Sequence, residues 1–147
     1  MKPGKVRPLA ICVFRHEGRI LAAQGYDRMK QQTFYRPLGG KIEFGETGAQ
    51  TVARELMEEI DAEVADLRYL GILENLFIFE GKAGHEIVLI YDGRFTNESL
   101  YQQESIDGVE DRADPVIARW LRLDWLEQDG APPLYPDGLL HLLRQTP

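Results

Sequence analysis

The stretch from Gly39 to Ala62, GGKIEFGETGAQTVARELMEEIDA, constrains this chain more than any other. It opens on a glycine pair and a turn, then runs into a helical pattern crowded with carboxylates. Thr47 followed by Gln50 fits a capping box, so the helix is expected to start at about Gly48. Ala49, Val52, Ala53, Leu56 and Ile60 recur at helical spacing and form one apolar stripe. Glu55, Glu58 and Glu59 cluster within ~100° on roughly the opposite side. One face is expected to pack on a sheet while the other displays carboxylates.

Like charges three and four residues apart destabilise a helix by about 0.2–0.5 kcal/mol per pair. Glu55 forms such pairs with both Glu58 and Glu59. In an ordinary acidic face, Arg54 and solvent would offset them. A divalent cation is the sharper alternative, because hard cations such as Mg²⁺ take oxygen ligands, keep several waters and are shared with substrate phosphates. Gly39 and Gly40 allow close backbone approach, and a carbonyl there would add an oxygen ligand. Glu46 stands at the helix start, where the macrodipole alone would favour a negative charge. Each residue has a bland explanation by itself; their joint spacing does not.

Gly40, five residues, Glu46, seven residues, then Arg54-Glu55-Leu56-Met57-Glu58-Glu59-Ile60 closely resembles the Nudix box of the Nudix hydrolases, the MutT-like nucleotide pyrophosphohydrolases. The resemblance covers Gly40 to Ala62 and departs at its end, where the pattern has glycine and a bulky aliphatic residue and this chain has Asp61 and Ala62. That glycine would end the helix in a left-handed conformation, and Asp is among the few other residues that tolerate it. The resemblance implies an α+β class, an α/β/α sandwich with a mixed β-sheet between helices. It implies hydrolysis of a phosphoanhydride in a nucleotide or nucleoside diphosphate-linked substrate, by water attack with Mg²⁺ or Mn²⁺. Glu55, Glu58 and Glu59 would be metal ligands, with the Gly39 or Gly40 carbonyl nearby. Arg54 would orient the carboxylates by ion pairing, and Glu46 would support the loop–helix junction. The general base varies among such proteins: it is a box glutamate or a later carboxylate, with Glu104 and Glu110 as candidates that also read as solvated loop charges. The alternative function is a domain that binds a nucleotide without turnover, although retention of all three glutamates favours the enzyme.

Beyond the box, Arg36 lies just ahead of the glycine pair, where it either meets substrate phosphates or sits in solvent at a strand edge. Glu74-Asn75-Leu76-Phe77 and Gly84-His85-Glu86-Ile87 resemble a pattern of some bacterial Nudix proteins and assign no substrate. Phe77, Phe79 and Tyr91 read first as core and second as base-stacking rings, Trp120 and Trp125 as packing, and His85 as a structural hydrogen-bonding residue.

The rest of the chain is read as strands and turns. Val6 to Arg15 is a buried strand, His16 to Arg19 a hairpin turn, and Ile20 to Gln24 the returning strand. Tyr26 to Thr33 is a loop, and Phe34 to Leu38 a short extended piece with Pro37 at its end. Leu67 to Phe79 gives one or two strands, His85 to Phe95 a long strand after a turn, and Ala118 to Leu123 a further strand. Thr96 to Pro115 is acidic and without a clear period, hence a functional loop or a partly helical excursion. Asp124 to Glu127 is a turn or short helix, and Pro136 opens a final helix through Leu143.

The 147 residues are expected to form one domain. A net charge of −7 argues against stable nucleic-acid binding, and asks that an anionic ligand be met by a cation or a local basic patch. A lone cysteine, Cys12, excludes an intramolecular disulfide and a multi-cysteine metal site. No run approaches the ~18 apolar residues of a membrane span, and the first residues lack the apolar core of a signal peptide, so a cytoplasmic protein without membrane contact is expected. The expected partner is a small nucleotide or nucleoside diphosphate derivative. A homodimer agrees with the resemblance, without a residue to support it.

Overall fold

A computed structural model describes residues 4–110 and 114–147. Among these described residues, nine strands form two sheets. The first has the order β5-β1-β7-β6, built from β5 (Leu38–Lys41), β1 (Val6–Val13), β7 (Lys82–Phe95) and β6 (Val64–Phe79). It is mixed: β1 and β7 run parallel, and the other neighbours are antiparallel. The second is antiparallel, with the order β2-β3-β9-β8, from β2 (Arg15–His16), β3 (Arg19–Asp27), β9 (Pro115–Arg122) and β8 (Ser105–Val109). β4 (Gln32–Arg36) also pairs with β3. Strand β1 shows why both faces of the first sheet are covered. Ala10 and Cys12 join a core with Val52 and Leu56 of helix α1 (Gly48–Ile60), while Leu9, Ile11 and Val13 join another with Leu139 and Leu143 of helix α3 (Leu139–Gln145). A sheet between helices is the layered α+β arrangement expected, with a second sheet packed against it.

The capping signals of α1 hold at both ends, but its buried face is rotated from the expected stripe: Ala53 is exposed, and Glu55, expected on the displayed face, is buried beside Thr51, Val52 and Leu56. The Thr47 hydroxyl accepts from the Gln50 amide at 3.2 Å, and the Gln50 side chain accepts from the Thr47 amide at 2.9 Å. At the other end, Asp61 is left-handed, φ 53° and ψ 41°, and the Ala62 amide reaches back to the Leu56 carbonyl at 3.3 Å. Asp61 thus performs the termination usually given to glycine.

Several expectations change. The turn at Glu17-Gly18 forms, with both residues at positive φ, but it joins β3 only to the two-residue β2. β1 instead pairs with β7, which is distant in the chain, and β3 enters the other sheet. The loop expected over Tyr26–Thr33 shrinks to a tight turn between β3 and β4, because the buried Asp27 carboxylate accepts the amides of Met29, Lys30 and Glu80. β6 is one long strand with register irregularities near Ala65/Arg68 and Tyr69/Gly71. The acidic stretch from Thr96 holds a 3₁₀ turn (Glu98–Gln102) and β8; its residues 111–113 lie outside the described residues, as do residues 1–3. Asp124 falls in a one-turn helix, α2 (Leu123–Leu126). The last helix starts at Leu139 rather than at Pro136. Pro136 lies instead in a turn closed by the Leu139 amide on its carbonyl at 3.2 Å, with the Asp137 amide given to Asn75 Oδ1. Among the described residues no helix is long and apolar enough to cross a membrane.

Candidate active site

Arg54 is the hub of the carboxylate face. Its Nε and Nη2 meet the two oxygens of Glu46 at 2.7 and 2.9 Å, a bidentate fork. Nη1 reaches Glu55 at 2.9 Å and Glu58 at 3.3 Å, and Nη2 also donates to the Lys41 carbonyl at 3.1 Å. One guanidinium therefore ties the loop before the helix to three glutamates on or near it. The Glu46 carboxyl is held down at about 2, chiefly by the hydrogen bond from Arg54. Glu46 also accepts from the Glu43 amide and the Thr51 hydroxyl, each at 3.0 Å, which fixes the turn against the first helical residues.

Glu55 is buried, and its place depends on glycine. A Cβ on Gly40 would stand 2.5 and 2.8 Å from the two Glu55 carboxylate oxygens. A Cβ on Gly39, at φ +152°, would fall on the Ala10 carbonyl and the Ile11 backbone of β1. Gly40 therefore lets the Glu55 carboxylate of α1 lie against β5, and Gly39 lets β5 lie against the backbone of β1. One helical turn on, the Glu59 carboxyl is pushed up to about 9, first by burial and then by the Glu55 charge and the hydrogen bond between the two carboxyls. The Gly39 amide opposes this by donating to Glu59, and the charge of Glu110 adds to it. Glu59 Oε1 is buried with no hydrogen-bond partner among the described residues. Glu58 is more exposed and engaged by Arg54. Among the described residues, no group of three or more His, Cys, Asp or Glu side chains stands ready to hold a metal by itself. What α1 brings into contact is a pair, Glu55 and Glu59.

A cleft of about 390 Å³, lined from both sheets, includes Arg36 and Glu110. Glu110 links it electrostatically to Glu59. Glu104 is exposed at the start of β8, its carbonyl bonded to the Trp120 amide, and does not line the cleft. The cleft is walled by Phe34, Phe77 and Phe79, with the Phe34 and Phe79 rings edge-to-face at 5.8 Å. Tyr91 lies elsewhere, against Gly48 and Tyr69. The cleft floor holds residues that sequence reasoning did not assign. Asn75, Glu86 and Arg7 are directly paired across β6, β7 and β1. Glu86 is 1% exposed, bonded by Arg7 at 2.9 Å and Asn75 at 3.4 Å, with Arg36 at 4.0 Å. Asn75 and Glu86 were marked by polar residues within apolar strands and by the resemblance of their two segments, which assigned no role; Arg7 had no signal, and nothing local says that these strands pair.

A family model describing the NUDIX domain matches residues 5–140, a span that includes the glycine turn, α1 and the strands that line the cleft. The chain belongs to the NUDIX domain family. Among curated relatives, the NAD-capped RNA hydrolase NudC of Pseudomonas aeruginosa is 34% identical over 92 residues, which cover 63% of this chain and 28% of that protein. The protein of the same name from Erwinia tasmaniensis is 41% identical over 66 residues, covering 45% of this chain and 24% of that one. The matched segment is thus about a quarter of these relatives' length. Among solved structures, a MutT NUDIX hydrolase from Burkholderia pseudomallei superposes with a TM-score of 0.67 at 20% identity, covering 97% of this chain and 99% of that one. The mutator MutT protein of Bacillus halodurans gives 0.63 at 19% identity, with 95% and 80% covered. At these identities the superpositions speak for the NUDIX fold.

Proposed function

We propose that this NUDIX domain hydrolyses a phosphoanhydride bond in a nucleotide or nucleoside diphosphate-linked substrate, using Mg²⁺ or Mn²⁺. The observation that carries this is the Glu55–Glu59 pair. Two carboxyls in contact, one with a buried and unpartnered oxygen, form a donor set that a hard divalent cation would satisfy in place of their shared proton. Glu55 and Glu59 would hold the ion, with Glu58, backbone oxygen at Gly39 or Gly40, water and substrate completing the shell. When bound, the ion supplies charge compensation for the phosphates and acidifies a ligated water.

The chain's own residues would do the rest. Arg54 holds Glu46, Glu55 and Glu58 in fixed orientation and does not touch substrate. Arg36 faces the cleft and presents a guanidinium to phosphate oxygens. Phe34, Phe77 and Phe79 offer ring surfaces for a base. Glu110, which lines the cleft and acts on Glu59, is a better placed proton acceptor than Glu104. The expectation of no nucleic-acid partner rests on net charge alone; relatives named for NAD-capped RNA make nucleotide-capped RNA part of the test.

The test is a hydrolysis screen over nucleoside triphosphates, nucleotide sugars, NAD and NAD-capped RNA, with Mg²⁺, Mn²⁺ or chelator. Metal-dependent cleavage of at least one is expected. Binding of a nucleotide with no cleavage of any compound under either metal would favour the sensing alternative.

A further inference from the structure

The sheet face that floors the cleft continues beyond it. Strand residues two apart share a face, about 6.6 Å on along the strand. The register of β6, β7 and β1 sets out successive rows on that face: Asn75, Glu86 and Arg7 in the cleft, then Phe77 beside Gly84, then Phe79 beside Lys82. Over these outer rows runs a second groove of about 320 Å³, lined by Lys5, Arg7, Phe77, Phe79, Lys82 and Gly84 among others. Arg7, Phe77 and Phe79 line both the groove and the cleft, so the two are continuous.

The charge of this groove runs against that of the molecule. In a chain with a net charge of −7, its lining has Lys5, Arg7 and Lys82 and, among the described residues, no carboxylate. Its floor is built: a Cβ on Gly84 would lie 2.5 and 2.7 Å from ring atoms of Phe77, so glycine is what lets that ring cross β7. Arg7 stands at the junction. The buried Glu86 carboxylate grips one of its nitrogens at 2.9 Å, while 53% of the Arg7 side chain stays exposed. Lys5 and Lys82 are exposed, and neither donates a hydrogen bond or ion pair that would commit it elsewhere among the contacts found for the described residues.

We propose that this groove is a second anion subsite, taking a phosphate carried by the part of the substrate that extends beyond the nucleotide in the cleft. Arg7 meets the linkage at the junction, and Lys5 and Lys82 neutralise the outlying phosphate. The proposal rests on the reading of the cleft as a nucleotide site. The phosphate belongs to a small bisphosphate or to an oligonucleotide chain; the chemistry recognised is the same.

Calorimetry with Mg²⁺ present, on ligands that carry no phosphoanhydride and so are not turned over, tests it. The four 5′-mononucleotides are titrated first, then the tightest binder's 3′,5′-bisphosphate and a trinucleotide beginning with it, against wild type and the K5E/K82E double variant. Melting curves confirm that the variant folds. Wild type is expected to bind the bisphosphate, the trinucleotide or both about tenfold more tightly than the mononucleotide, and the variant to lose that preference. A gain with both ligands identifies a single phosphate as the determinant, and a gain with the trinucleotide alone identifies a chain. For the trinucleotide, the slope of log affinity against log salt is expected to be shallower in the variant by about one per lysine. Equal affinity for short and long ligands in wild type, or a preference that survives in K5E/K82E, overturns the groove and leaves the cleft standing. Failure of every nucleotide to bind overturns both.

Discussion

At Gly40 a methyl group would occupy the space that the Glu55 carboxylate fills, and Glu55 cannot swing away, since it is buried and held by Arg54 at 2.9 Å. Gly40→Ala is therefore expected to lower turnover by about 100-fold or more, because misplacing a catalytic group by about 1 Å costs that much. Steady-state kinetics beside a far-UV circular dichroism spectrum would check it; normal turnover would show that the glycine is not needed for close approach. Asp61 presents the opposite case, a side chain where glycine would be easier. The left-handed conformation costs an ordinary residue about 1–2 kcal/mol, less for Asp, and glycine returns part of the gain through its freer unfolded chain. Asp61→Gly is expected to raise the melting temperature by about 1–3 °C. A fall would mean that the Asp61 side chain stabilises the helix end by more than its strain costs. Both positions were legible in the sequence, because glycine spacing and helix termination are local properties of the chain.

Helix α1 and the turn that leads into it carry two glutamates with opposite pH behaviour. Glu46, held at about 2 by Arg54, contributes stability that is present above its unfolded value of 4.5 and lost as pH falls toward 2. Glu59, raised to about 9 by burial and by Glu55, keeps its proton in the folded chain where the unfolded chain has lost it above 4.5. Between about 4.5 and about 9 the folded state binds more protons, so the contribution of Glu59 to stability declines as pH rises. In urea denaturation of the metal-free protein between pH 5 and 9, Glu59→Gln is expected to flatten that decline. An unchanged pH slope would show that Glu59 ionises normally. The helix itself was readable because its capping box, apolar stripe and left-handed end lie within fifteen residues. The partners of its neighbouring strands were not. A turn at Glu17-Gly18 suggests a hairpin between β1 and β3, yet β1 pairs with β7, some 79 positions away at Val6 and His85, and has its two faces covered by α1 and α3. The strand β8 escaped for a similar reason, since its short acidic segment is made a strand by β9 rather than by its own pattern.

At the scale of the molecule, three kinds of group are arranged about the first sheet: on the side covered by α1, the Glu55–Glu59 pair behind the glycine turn, and on the opposite face the floor of the cleft with Arg36 and its aromatic walls, followed by the basic groove beyond Arg7. The first was concentrated in one segment and could be read there. The others are assembled from β1, β3, β4, β6 and β7, and a single sequence does not state which strands adjoin, so Arg7, Asn75 and Glu86 stood apart until the sheet joined them. Arg36 was found only because it sits three residues before Gly39. The central claim is that the Glu55–Glu59 pair holds the divalent ion on which hydrolysis depends. Its most direct test is a Mn²⁺ titration followed by electron paramagnetic resonance, with turnover of the best substrate measured at the same concentrations, for wild type and Glu59→Gln. Wild-type binding and turnover should rise together, and Glu59→Gln should weaken metal binding by about tenfold or more with a parallel loss of turnover. Turnover that persists in chelator, or a Glu59→Gln variant that binds Mn²⁺ and turns over like wild type, would contradict the account.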